Sequence, residues 1–353
     1  MRIKFLEITL MSLLGLILIT CQEEYPLEEN QIIFNSETET EVYSITQYSD
    51  GTVEYLETLI EIIEIMVDKG LLDNHIAHAL ESQIENVIKS IKKGNIDASI
   101  GQLKAFIHVI EALINNGKIH IDDGQTLINT AESVIILSEG GFIDPRDGYE
   151  YTVVLLGNQL WMAENLKTIK YLNGDFIGTT IPLTKDITFE NAPKYQWVYE
   201  GNENNVNTYG RLYTWYVVAD DRKICPQGWH VPSNDEWTIL EDYLIENGYG
   251  YEGDGNDIAK SLAANTNWFY YDLSGTPGND LITNNSSGFS ALPGGWRQHT
   301  GEFYSIGSYG SWWSSTEDYS NSAWFRKILS TNVDLITYSN NKRQGFSVRC
   351  IRD

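Results

Sequence analysis

Between residues 51 and 140 the apolar positions recur at helical spacing. One run is Val53, Leu56, Leu59, Ile60, Ile63 and Val67, and a second is Ile76, Leu80, Ile84, Val87, Ile88 and Ile91. A third is Ile100, Leu103, Phe106, Ile107, Ile110 and Leu113, and a fourth is Leu127, Ile128, Ala131, Val134 and Ile135. A repeat of about 3.6 residues gathers each set on one face, so the spacing predicts four amphipathic helices. Glu57, Glu61, Glu64, Glu81 and Glu85 fall mainly on the solvated faces. Gly70, Gly94, Gly117 and Gly140 follow the runs where left-handed C-caps belong. Asp73, Asn95 or Asp97, and Asp122 are candidate N-caps. Short connections make neighbouring helices antiparallel.

From Tyr149 the pattern changes to short strands and Gly/Asn loops. Val153–Leu156 and Leu160–Met162 read as strands around a Gly157-Asn158 turn. Ser233 with Glu236 three residues on reads as a capping box, with Trp237 and Leu240 on the face behind it. Gly140-Gly141 and Pro145 stop a helix between the two patterns and mark a domain boundary.

Charge and composition break at the same place. Residues 22–144 carry 23 acids and 6 bases, residues 145–353 carry 25 and 16, and all ten tryptophans lie between Trp161 and Trp324. The formal net charge of −25 argues against nucleic acid as a partner, since phosphate binding needs a basic stripe. Residues 22–50 hold eight acids and no Lys or Arg, and read as an extended acidic tether.

Residues 1–20 join a basic start at Arg2 and Lys4 to an apolar run, as a secretory signal does, and no later window is long and apolar enough to span a bilayer. Leu18-Ile19-Thr20-Cys21 resembles a bacterial lipobox. The resemblance implies cleavage before Cys21 and lipid on it, and two or more acyl chains anchor stably where one does not. A plain signal peptide is the alternative. Gln22-Glu23-Glu24 resembles the surface-export signal of Bacteroidetes lipoproteins, which implies display on the outer leaflet of the outer membrane. The resulting organisation is a signal peptide over 1–20, a tether over 21–50, a helical module over 51–141 and a second domain over 145–353.

The segments KGLLDN, KKGNIDASIGQLKAFI and NNGKIHIDDGQTLI resemble the FIMAH helical module of secreted bacterial proteins, which implies a spacer or docking role. GNQLWMAENL, GRLYTW, CPQGWHVPSNDEW, GFSALPGGWR, SWWSSTE with AWF, and GFSVRC, in that order, resemble the Fibrobacter succinogenes major paralogous domain. The motif style is also similar to C-type-lectin-like domains, including their formylglycine-generating branch. The fold class implied is α+β: an antiparallel helical bundle followed by a mixed α+β head with a small antiparallel sheet and long loops. In that fold the terminal strands pair, which here means residues 151–156 with 345–351.

Cys225 and Cys350 remain after lipidation, and in an oxidising compartment an even pair is expected to bond. The competing reading is a reactive thiol of formylglycine-generating type. His230 is the best general-base candidate, but its apolar flanks favour a hydrogen-bonded core position. Ser314-Ser315-Thr316-Glu317 lacks a nucleophile elbow, so no catalytic residue is assigned and the chain is not expected to be an enzyme. His75, His78, His108 and His120 read as solvated helix positions, and Gly253–Asp257 as a turn rather than a calcium loop, so no metal or cofactor is expected.

Residues 296–343 mix Tyr, Trp, Asn and Arg in the manner of recognition loops. Candidate ligand-binding residues are Arg297, Tyr304, Tyr309, Trp312, Tyr319, Asn332, Tyr338 and Asn340. The tract Tyr304–Arg343 would also suit the variable region of a diversity-generating retroelement. The expected function is a lipid-anchored surface protein whose C-terminal domain binds an extracellular glycan or protein. The alternative is a non-catalytic structural or interaction module of the cell envelope.

Overall fold

The computed structural model describes the backbone of residues 36–353 apart from Asp254, with side chains from residue 51 onward. The signal sequence, Cys21 and residues 22–35 lie outside the described residues. Four helices come first: α1 (Ser36–Asp68), α2 (Asn74–Lys92), α3 (Ile96–Asn115) and α4 (Ile121–Ser138). The segment read as an extended tether is therefore helical from Ser36.

The expected apolar stripes form one core, with Leu56, Ile63, Ile84, Leu103, Phe106 and Leu127 fully enclosed. All four predicted C-terminal glycines take positive φ, between +65° and +74°. Asp73 caps α2 by accepting the His75 amide at 2.8 Å. Asn95 sits at the start of α3 without a side-chain bond. Asp122 is not the cap of α4. His120 Nδ1 accepts the Asp122 amide at 3.3 Å, and Asp122 lies inside the first turn, where its charge complements the helix dipole.

The remaining elements are β1 (Gly141–Ile143), β2 (Glu150–Leu156), β3 (Gln159–Met162), β4 (Gln196–Trp197), α5 (Val206–Tyr209), β5 (Leu212–Tyr213), α6 (Trp215–Val218) and β6 (Trp229–His230). They continue with α7 (Asn234–Glu246), α8 (Ala259–Leu262), β7 (Gly294–Arg297), β8 (Phe303–Ile306), β9 (Tyr309–Tyr319), β10 (Ser322–Leu329), β11 (Ile336–Asn341) and β12 (Ile351–Arg352). The fold is α+β. Among the described residues no helix is long and apolar enough to cross a membrane.

The chain does not leave α4 through a free linker. Gly141 enters β1, which joins a five-stranded sheet of order β1-β2-β3-β12-β6. Leu137 of α4 shares a core with Tyr151 and Trp229. Arg352 ties the bundle to the sheet, donating to Glu132 at 2.5 Å and to Ser133 Oγ at 3.3 Å. The β2–β3 hairpin forms as the Gly157-Asn158 turn predicts, with Leu156 opposite Gln159. The expected partnership of 151–156 with 345–351 is corrected. β3 lies between β2 and β12, and Gly345, Phe346 and Ser347 instead bridge to Arg297, Tyr213 and Trp312. A tight hairpin claims β2's neighbour before the distant end of the chain can.

Cys225 and Cys350 form a disulfide with Cα atoms 6.1 Å apart, closing a separation of 125 residues. A second sheet, of order β11-β10-β9, has core on both sides. Trp313 and Phe325 meet Phe346 in one core, while Trp312 and Ile328 meet Trp161, Trp237 and Phe289 in the other. The capping box at Ser233 and Glu236 is present, with Trp237 and Leu240 buried behind it.

Candidate functional site

Two of the sequence-nominated ligand residues are interior, which corrects their assignment. Trp312 is fully buried, and its indole N–H donates to Asn165 Oδ1 at 2.7 Å. The same oxygen accepts from Arg349, itself fully buried against the Phe289 ring at 4.2 Å. Arg297 is also fully buried, stacked 4.1 Å from the Trp197 ring centroid and donating to the carbonyls of Leu183, Lys185 and Gln298. Burial pushes its pKa down to about 10. The arginines of GGWR and GFSVRC thus fasten loops from inside. They offer no charge to a surface ligand.

Tyr309 of β9 and Tyr338 of β11 flank Lys327 of β10. Lys327 is paired with Ser311 and Ile336, and Leu329 with Tyr309, so these side chains share one face of the sheet. The Lys327 ammonium lies 5.4 Å from the Tyr309 ring and 5.7 Å from the Tyr338 ring. Among the described residues it has no carboxylate partner, and burial lowers its pKa. Tyr319 is exposed near the far end of the sheet, opposite Ser322, and Asn340 stands opposite Ala323. Asn340 and Asn332 spend their side-chain oxygens on the amides of Asn341 and Asp334, each at 2.8 Å. Tyr304 is half-exposed on β8, 5.2 Å from Trp296.

His230 is not a core residue. β6 is an edge strand, which leaves the imidazole part-exposed between two carboxylates. Nδ1 meets Asp353 at 2.7 Å and Nε2 meets Glu236 at 2.8 Å. Burial alone would lower the pKa, but the two carboxylates outweigh it and raise it to about 9. With both N–H groups donated, the ring cannot accept a proton as a general base. Glu236 moves the other way. Burial works against its charge, yet His230 and the Ser233 amide hold it down at about 2.

Both head cysteines are consumed in the disulfide. In the Gly253–Asp257 segment, Asp257 Oδ1 accepts the Tyr251 amide at 2.9 Å, as in a turn. His78 and His108 pair with Glu81 and Glu111 on the helix surface. Among the described residues no three His, Cys, Asp or Glu side chains converge to hold a metal.

A polar cleft of about 320 Å³ opens between residues 249–252 and 279–286. Its floor is Lys260, whose ammonium donates to Asn284 Oδ1 at 2.8 Å and to the carbonyls of Asp280 at 3.1 Å, Thr276 at 3.4 Å and Asn279. Burial lowers its pKa. Sequence reasoning missed both Lys327 and this cleft. Each arises from residues that only tertiary pairing brings together.

The described residues thus form a helical bundle packed on a disulfide-closed α+β head that carries an aromatic–cation cluster and a cleft. The chain belongs to the Fibrobacter succinogenes major domain family, which matches residues 154–352. A FIMAH domain matches residues 56–136. No curated protein and no solved structure matches the chain.

Proposed function

We propose that this is a bacterial outer-membrane lipoprotein, lipidated on Cys21, whose lectin-like C-terminal domain binds an extracellular ligand carrying an acidic group. The observation that carries the reading is Lys327. Lys327 is half-buried between two tyrosine rings and has no carboxylate partner among the described residues, so its ammonium is available to an acidic group brought by a ligand. The rest of the chain is strongly acidic, so a cation without a carboxylate partner at the exposed margin of this sheet, beside Tyr338, is a specific feature. Tyr309 and Tyr338 add contact area at low entropic cost. The family and the FIMAH module support a surface location. A non-catalytic role is supported by His230, whose ring nitrogens are both engaged, and by the disulfide, which leaves neither Cys225 nor Cys350 as a thiol.

The test is binding of the mature full-length chain to arrays of glycans and bacterial or host surface proteins. Features carrying uronate, sulfate or clustered carboxylates should bind. Lys327→Met and Tyr338→Ala should each weaken that binding by about tenfold, or 1.4 kcal/mol, without changing the unfolding midpoint. Binding that survives both substitutions would refute the site.

A further inference from the structure

We infer that the cleft above Lys260 is a second binding site, for a neutral saccharide. Its volume of about 320 Å³ falls within the range of small-ligand pockets, about 300–1,000 Å³. Tyr249 and Tyr251 supply rings against which a pyranose can pack. Asn279, Asp280 and Thr283 line the cleft with amide, carboxylate and hydroxyl oxygens that can accept from sugar hydroxyls, while the Asn279 and Thr283 donors are held by the carbonyls of Tyr271 and Asp280.

Charge narrows the class. Among the described residues the one cation lining the cleft, Lys260, is already surrounded by protein oxygens, so it does not offer itself to a phosphate or carboxylate. Glu252 and Asp280 stand exposed in the lining; Asp280 acts through space on the Lys260 ammonium, and Glu252 has no ion pair among the described residues. Two carboxylates stand against one ammonium that protein oxygens already surround, so an anion is disfavoured, and an apolar ligand would take water from the exposed carboxylates without replacing it. A neutral polyhydroxyl ligand satisfies both conditions.

Two further features fit. Glu252 and Asp280 hold positive φ, +64° and +45°, so both walls carry backbone strain that the surrounding fold must maintain. Phe269, Tyr270 and Tyr271 are exposed on the loop flanking the cleft, and the Tyr271 amide donates to Gly278 O at 3.1 Å, tying that aromatic ridge to the wall. The ridge offers stacking surface for sugar units beyond the one in the cleft.

The experiment is calorimetric titration of the mature full-length chain with neutral cello-, xylo-, manno- and chito-oligosaccharides, and with an oligogalacturonate as the charged control. At least one neutral oligomer should bind, with the uronate weaker at this site. Tyr251→Ala should weaken the neutral ligand about tenfold. The double substitution Glu252→Gln/Asp280→Asn should preserve the unfolding midpoint and shift preference toward the uronate. Lys327→Met should leave neutral binding unchanged, which separates this site from the sheet surface. The inference is overturned if no neutral oligomer binds at millimolar concentration, if binding ignores Tyr251→Ala, or if removing the two carboxylates leaves discrimination against the uronate intact.

Discussion

Replacing Asn165 with alanine tests whether Trp312 is structural. The Asn165 side chain accepts from Trp312 Nε1 at 2.7 Å and from Arg349 at 3.1 Å, and its amide donates to the Tyr209 carbonyl at 2.9 Å. Asn165, Trp312 and Arg349 are all buried, so water does not replace the lost partners freely. Stranding one buried neutral donor costs about 1–3 kcal/mol. Here an indole N–H and a backbone carbonyl are stranded together. Arg349 loses one acceptor but keeps the carbonyls of Phe289 and Ser290. The expected loss is about 3–5 kcal/mol, read as a shift in urea midpoint by tryptophan fluorescence at constant slope. Trp312→Phe removes the indole donor from the other side, so the two substitutions should couple by about 1–3 kcal/mol in a double-mutant cycle. A loss below about 1 kcal/mol for Asn165→Ala, or strict additivity in the cycle, would refute the buried network.

Two other predictions concern the head. Replacing Cys225 and Cys350 together with alanine frees a separation of 125 residues, for which chain entropy gives an upper loss of about 5 kcal/mol. Denaturant unfolding should show that loss, and equal midpoints with and without the bond would contradict it. The His230 pair predicts a pH profile. Because its folded pKa is raised to about 9, its contribution is complete below the unfolded value of about 6.5 and fades as pH climbs through 9. Thermal midpoints should fall over that alkaline window in the parent protein and less steeply in His230→Gln. Parallel profiles would show that the two carboxylates do not stabilise the imidazolium.

Much of the architecture could be read in advance, where a local pattern determines a local structure. The helical stripes, their glycine ends, the Ser233 capping box and the β2–β3 hairpin depend on neighbours within a few residues. The errors came from faces and edges. Trp312 and Trp313 point to opposite sides of β9, and both sides are core, so Trp312, nominated as a ligand residue, is enclosed like its neighbour. Apolar flanks around His230 suggested burial, but β6 is two residues long and lies at the sheet edge. Lys327 meets its tyrosines only through cross-strand register. The cleft draws its walls from segments about thirty residues apart, with no motif to join them.

The sheet surface is tested most directly by hydrogen exchange of the full-length mature chain with and without an acidic ligand selected from the arrays. Slowed exchange should centre on β9–β11 around Tyr309, Lys327 and Tyr338, and vanish in Lys327→Met. Protection confined to α1–α4, or unchanged when that ammonium is removed, would contradict the assignment.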